Sequence, residues 1–181
     1  MKNILKTLSV FSLLFCFSLN AFSATATWVA GFGEWLQNAS FWDIGFPSAG
    51  DDIVISNPNL EQRLVVTGIN PNINSLTIGA NNIGIDPDEF HIANGQNVTV
   101  SSSGINNNGL ITINSSGNPT SLLLSGSATI DGTGTIMMTN SGSNVIRNTG
   151  GNDILTLGAN VTIQGAGSLA VSYTHLRAHE T

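Results

Sequence analysis

Positive charge is almost missing from this sequence. Lys and Arg together number 5 in 181 residues, against 11 Asp and Glu, for a formal charge of −6. Two of those five, Lys2 and Lys6, stand at the very start, leaving Arg63, Arg147 and Arg177 for the rest of the chain. So few cations neutralise few phosphates, which excludes nucleic acid as a partner and leaves no polybasic patch for anionic lipid. Charge of either sign is scarce, at 9% against roughly a quarter in ordinary domains. The single cysteine, Cys16, excludes an intramolecular disulfide framework. No window keeps a helical period without a Gly, Pro or Asn break, which excludes crossover helices. No nucleophile elbow, phosphate-cradling Gly loop or zinc spacing is present.

What fills the space is 41% hydrophobic residues and 20 Gly, with abundant Asn, Ser and Thr. That mixture suits many short strands joined by tight corners. It is also repetitive. Residues 155–169 read LTLGANVTIQGAGSL and echo 122–136, LLLSGSATIDGTGTI. Leu155 matches Leu122, Thr162-Ile163 match Thr129-Ile130, and Gly165 and Gly167 match Gly132 and Gly134, all 33 positions apart. Weaker echoes are LTIGAN at 76–81 and NVTV at 97–100. Repetition of a β-branched phrase predicts a solenoid whose units stack on one another.

The two ends read differently from the middle. Residues 1–23 have the form of a secretory signal peptide: Lys2 and Lys6, an apolar core over 8–19, and a small-x-small site at Ala21-Phe22-Ser23, with Ala24-Thr25-Ala26 as the alternative. The apolar core is short for a membrane span, which needs about 20 residues, so no span is expected in the mature chain. Removing this leader also removes Cys16. At the other end, VSYTHLRAHET over 171–181 resembles the translation of a transposase-type sequencing adapter. Residues 170–181 are therefore expected to be a non-native tail on a shortened chain, and His175, Arg177, His179 and Glu180 are assigned to no site.

Between the ends, strands are expected at 52–56, 64–68, 75–79, 90–93, 98–101, 110–114, 121–125, 128–131, 135–139, 145–147, 154–157 and 161–164. Inward pairs are Leu76/Ile78, Ile111/Ile113 and Leu155/Leu157, with the parity at Leu110 and Ile111 left open. Burying an Ile or Leu yields about 1.5–3 kcal/mol, while ordering one residue's backbone costs about 1–2 kcal/mol. One coil therefore does not fold alone, and stacking is required. The Asn-rich corners, such as Asn106-Asn107-Asn108-Gly109 and Asn81-Asn82, suit left-handed turns and amide ladders between coils.

Residues 24–56 are aromatic. Trp28, Trp35 and Trp42 recur every seven residues, yet Gly31, Gly33 and the run Phe46-Pro47-Ser48-Ala49-Gly50 rule out one helix face. Each large aromatic buries about 150–250 Å², so three of them can close an open stack end as an N-terminal cap; a sugar-stacking platform is the alternative. The pattern W-x-x-G-x-G-x-W followed by A-S-F-W-x-x-G-x-P-x-x-G-D-D-I-x-I, with T-I-x-G-x-G later, resembles the opening of large bacterial exoproteins of the autotransporter-passenger and filamentous-haemagglutinin-like adhesin type. The resemblance covers most of 28–169. It implies an all-β, right-handed parallel β-helix (β-solenoid) with residues 57–169 as its repeats. It further implies a secreted or outer-surface adhesin or display stalk that contacts surface glycans or proteins, or else a polysaccharide-cleaving β-helix whose catalytic coils are missing.

Chemistry-bearing residues are few. Asp86, Asp88 and Glu89 form the densest acidic cluster and are a weak Ca²⁺ candidate; otherwise the cluster is a solvated loop, and no other cofactor is expected. Polysaccharide lyases of the resembled group pair such carboxylates with an Arg or Lys base, for which Arg63 and Arg147 are the only mature positions. His91 stands in a strand alternation and is expected to be structural. No catalytic residue is assigned. A shortened solenoid leaves an uncapped end, so self-association through that end is expected.

Overall fold

The computed structural model describes residues 23–56, 63–80 and 87–170. Residues 1–22 of the predicted leader, the Asn81-Asn82 corner, Asp86 and the 171–181 tail lie outside the described residues. Strands follow one another along the chain: β1 (Thr25–Thr27), β2 (Phe32–Glu34), β3 (Asp52–Ile55), β4 (Leu64–Thr67), β5 (Asn72–Ile73), β6 (Ser75–Ile78), β7 (Glu89–Ile92), β8 (Asn97–Val100), β9 (Ile105–Asn107), β10 (Leu110–Ile113), β11 (Thr120–Leu124), β12 (Ala128–Asp131), β13 (Thr135–Asn148), β14 (Leu155–Leu157) and β15 (Thr162–Ala170). One 3-10 turn, Ala39–Phe41, is the only helix among the described residues.

Strands pair in parallel with those of neighbouring coils, on both sides except at the sheet edges, so the chain is a parallel β-solenoid of about five coils. The first face is a six-stranded sheet in the order β1-β3-β6-β9-β12-β14. The second face runs β2-β4-β7-β10 to the first half of β13, and the third runs β5-β8-β11 to its second half. Because β13 and β15 continue round the corner between these faces, the two form one nine-stranded sheet.

Alternation decides what goes inside. Ala26, Ile53, Leu76, Ile105, Ile130 and Leu157 stand in one register column on the first face. Val65, Phe90, Ile111 and Ile136 do so on the second, and Val98, Leu122 and Ile146 on the third. Apart from Leu157, these residues form one continuous buried core. The open parity at Leu110 and Ile111 resolves with Ile111 and Ile113 inward. Leu155 and Leu157 correct the expected burial: they continue inward columns, but β14 is the edge strand of its sheet and Leu157 keeps 37% exposure.

The repeat is also corrected. The stacking partner of Leu155 is Ala128, and that of Ile163 is Ile136, 27 positions earlier in each case. Leu122, the sequence echo of Leu155, lies on the third face while Leu155 lies on the first. The 33-residue echo therefore equals one coil plus one face. The phrase is portable between faces because each face demands the same inward alternation followed by a Gly corner. At the two Gly corners shared by the echo, Gly132 and Gly165, the preceding coil lies too close for a side chain. A Cβ on Gly132 would come within 2.1 Å of the Asn107 carbonyl oxygen, and one on Gly165 within 1.8 Å of that of Met138.

Asparagine serves the corners otherwise than expected. Among the described residues every positive φ belongs to Gly. Asn144 is fully buried; its Oδ1 accepts from the Ser115 amide at 3.0 Å, and its Nδ2 donates to the carbonyls of Thr139 (2.8 Å) and Ala166 (2.9 Å). Asn107, also buried, donates through Nδ2 to the Thr135 carbonyl and accepts from the Gly109 amide. These side chains substitute for ladder bonds where the backbone turns away. They tie one coil to the next through backbone groups rather than through like-with-like amide stacks.

Candidate functional site

The aromatic segment closes the first coil. Trp28 (0% exposed), Trp35 (2%) and Trp42 (2%) are all buried. Trp42 packs edge-on against Trp28 at 5.0 Å between centroids and tilted against Trp35 at 4.8 Å, and Trp35 meets Phe90 of the core at 6.0 Å. Two of the three indole N–H groups donate to nearby carbonyls, as burial demands: Trp28 Nε1 to Gly31 and Trp42 Nε1 to Trp35. Gly33 holds the inward position at the start of the second-face column, and a Cβ there would lie 2.9 Å from the Phe41 ring. The cap rings occupy the space that a side chain would take. A buried ring offers no face to a sugar, so the stacking-platform alternative has no surface to act through.

The acidic cluster does not converge where it is described. Asp88 is fully buried, and its Oδ1 accepts from the Arg63 amide at 2.9 Å. Glu89 is the next residue on a strand, so it points outward, where its Oε1 lies 3.5 Å from His91 Nδ1. The hydrogen bond from His91 lowers the Glu89 carboxyl below the usual range; burial opposes this, and Thr112 adds to the lowering. No group of three or more His, Cys, Asp or Glu side chains is placed to hold a metal ion among the described residues. Arg63 is buried, and that burial lowers its guanidinium pKa against the opposing charge of Asp88. Arg147 stands exposed on the third face. Arg63 and Asp88 thus stand together, buried at the entry to the second face, while Arg147 lies apart on the third.

What the coils do build is a flat, hydroxyl-rich first face. Its outward positions stack as Thr25/Asp52/Ser75, as Thr27/Val54/Thr77/Asn106/Asp131 and as Thr129/Thr156. Strands repeat about every 4.8 Å across such a sheet, so the outward groups repeat at that spacing. A groove of about 320 Å³ crosses three coils at the edge of this face, lined by Ser102, Ser127, Thr129, Ile154 and Thr156 among others. No charged side chain lines it. Asp52 anchors the other end of the same face. Burial would raise its carboxyl pKa, but hydrogen bonds from Ser75, Asn74 and Ser23 outweigh that and hold it below the usual range.

No family model, curated protein or solved structure matches the chain. The surface must therefore be read from its own chemistry. It offers hydroxyl donors and acceptors in register, with the carboxylates of Asp52 and Asp131 among them and scattered apolar contacts such as Ile154 at 42% exposure. Among the described residues no helix is long and apolar enough to cross a membrane. The hydroxyl face was missed in the sequence because adjacent members of a column lie 23 to 29 positions apart along the chain. Only the register brings them together.

Proposed function

We propose that this chain is the N-terminal part of a secreted bacterial surface protein, a β-solenoid that serves adhesion or display and performs no catalysis in this stretch. The observation that carries the reading is the first face, where polar side chains, most of them hydroxyl-bearing, stand in register from coil to coil. A surface of that kind suits partners that also repeat, such as surface glycans or repetitive proteins. Each contact is weak, and many contacts acting at once raise avidity by about 10²–10⁴-fold. The uncharged lining of the groove and the formal charge of −6 favour neutral glycans over polyanionic ones. The exposed apolar positions of the last coil support self-association through that end.

The test is binding of the chain, displayed on beads at low and high density, to a panel of neutral and acidic polysaccharides. Binding that rises steeply with density and falls when Thr129 and Thr156 are both replaced by Lys is expected. Shortening of any polysaccharide, seen as new reducing ends or unsaturated uronate absorbance, would replace this reading with the polysaccharide-cleaving one. A clean monomer in dilute sedimentation would remove the self-association part.

A further inference from the structure

The start of β1 carries an arrangement that the solenoid itself does not require. Asp51 is only 7% exposed. Its Oδ1 accepts from the Ala24 amide at 3.1 Å and its Oδ2 from the Ser48 amide at 2.8 Å, and both donors are neutral. Its neighbour Asp52 donates its backbone N–H to the Ala24 carbonyl at 2.8 Å and accepts the Ser23 hydroxyl at 3.0 Å. Two adjacent carboxylates thus converge on the Ser23–Ala24 peptide. A carboxylate taken out of water ordinarily sits with a cation, yet no Lys or Arg bonds to Asp51 among the described residues.

We infer that the Ser23–Ala24 bond is the processing site, and that cleavage there creates the missing cation as the α-ammonium of Ala24, seated against Asp51. The inference rests on reading residues 1–23 as an export leader. In the step, water adds across the peptide bond: the Ser23 carbonyl carbon takes the oxygen and becomes a carboxylate on the released leader. The Ala24 nitrogen gains protons and becomes an ammonium. A host signal peptidase supplies the catalysis. The nitrogen that donated to Asp51 as a neutral amide then faces the same oxygen with a full charge, and charge-assisted bonds are about twice as strong as neutral ones.

The geometry also separates the two cleavage sites that the sequence offers. Cutting after Ala26 would remove the first two residues of β1, and with them Ala26, which is fully buried at the head of the Ile53 column. It would strip Asp51 of the Ala24 amide, leaving it the Ser48 amide, and Asp52 of the Ser23 hydroxyl and the Ala24 carbonyl. Cutting after Ser23 takes the Ser23 hydroxyl from Asp52, which keeps Asn74 and Ser75, but it leaves β1 whole and adds the ion pair. The first coil is thereby stabilised only after the leader has left, so the exported precursor stays easier to unfold than the mature chain.

Two measurements test this. The full chain is expressed in a secreting bacterial host and the exported product is weighed intact. A chain starting at Ala24 is expected, and one starting at Thr27 overturns the inference while leaving export standing. A chain neither exported nor cut overturns both. Separately, the chain beginning at a free Ala24 is compared with its N-acetylated form and with a form that retains Ser23. Acetylation and extension should each lower Tm by about 2–4 °C, and acetylation should have no effect in Asp51→Asn. Equal Tm for the free, acetylated and extended chains overturns the inference, as does an acetylation shift that persists in Asp51→Asn. Should Asp51→Asn fail to fold, the extended chain decides alone, because it keeps a charged amine but moves it away from Asp51.

Discussion

The first and the last described coils of this solenoid bury their inward columns to different extents. Every coil presents such a column to its neighbours. At the N-terminal end, Trp28, Trp35, Trp42 and Phe41 fold over the first coil and Ala26 and Ile53 are fully buried. At the other end, Leu157 continues the column of Ile53, Leu76 and Ile130 but keeps 37% exposure, with Leu155, Ile163 and Leu169 only partly buried. Identical pattern and register give a core in one place and a half-wet edge in the other. Burial in a solenoid belongs to a pair of neighbouring coils, and the pattern within one coil only makes it available.

The sharpest way to break the contrast is at the cap. Trp42→Ala removes the ring that joins Trp28 to Trp35 and should cost about 3–5 kcal/mol, read as a lower midpoint in urea unfolding; a loss below about 1 kcal/mol would mean that the cap is dispensable. The next test sets one column position against another. Ile130→Ala, between two coils, should cost about 2–5 kcal/mol, and Leu157→Ala, at the edge, about 1 kcal/mol or less. Equal costs would show that the last coil is covered in solution. Asn144→Ala should cost about 1–3 kcal/mol by stranding the Ser115 amide and the Thr139 and Ala166 carbonyls, and hydrogen exchange should speed first at that corner. The smallest effect is in pH. Asp52 and Glu89 both have lowered carboxyl pKa values, so each adds stability above its unfolded pKa and loses it as pH falls through the lower folded value. Replacing both by their amides should flatten the fall in Tm between about pH 5 and pH 2; an unchanged slope would assign the acid sensitivity elsewhere.

Much of the architecture is legible along the chain. Strand positions, the inward roles of Leu76/Ile78 and Ile111/Ile113, and the covering role of the three Trp follow from alternation, Gly punctuation and aromatic bulk. The short strands Thr25–Thr27, Phe32–Glu34, Asn72–Ile73 and Ile105–Asn107 escape notice because two or three residues carry too little alternation to stand out from a loop. The acidic run at 86–89 looks like one cluster in sequence, yet strand alternation sends Asp88 inward and Glu89 outward. Candidate-site residues fared worst, since Ser102, Thr129 and Thr156 meet only across coils.

Local sequence sets the stacked β-coils and the aromatic covering of the first one, because period-2 burial and tight corners are properties written into neighbouring residues. The tertiary structure alone decided which coil lies on which. Stacked partners lie 21 to 32 positions apart, and the spacing varies with each corner loop, so no fixed period reveals it. That register turns the 33-residue echo into a change of face, lines up the hydroxyl columns, and seats Ala24 against Asp51.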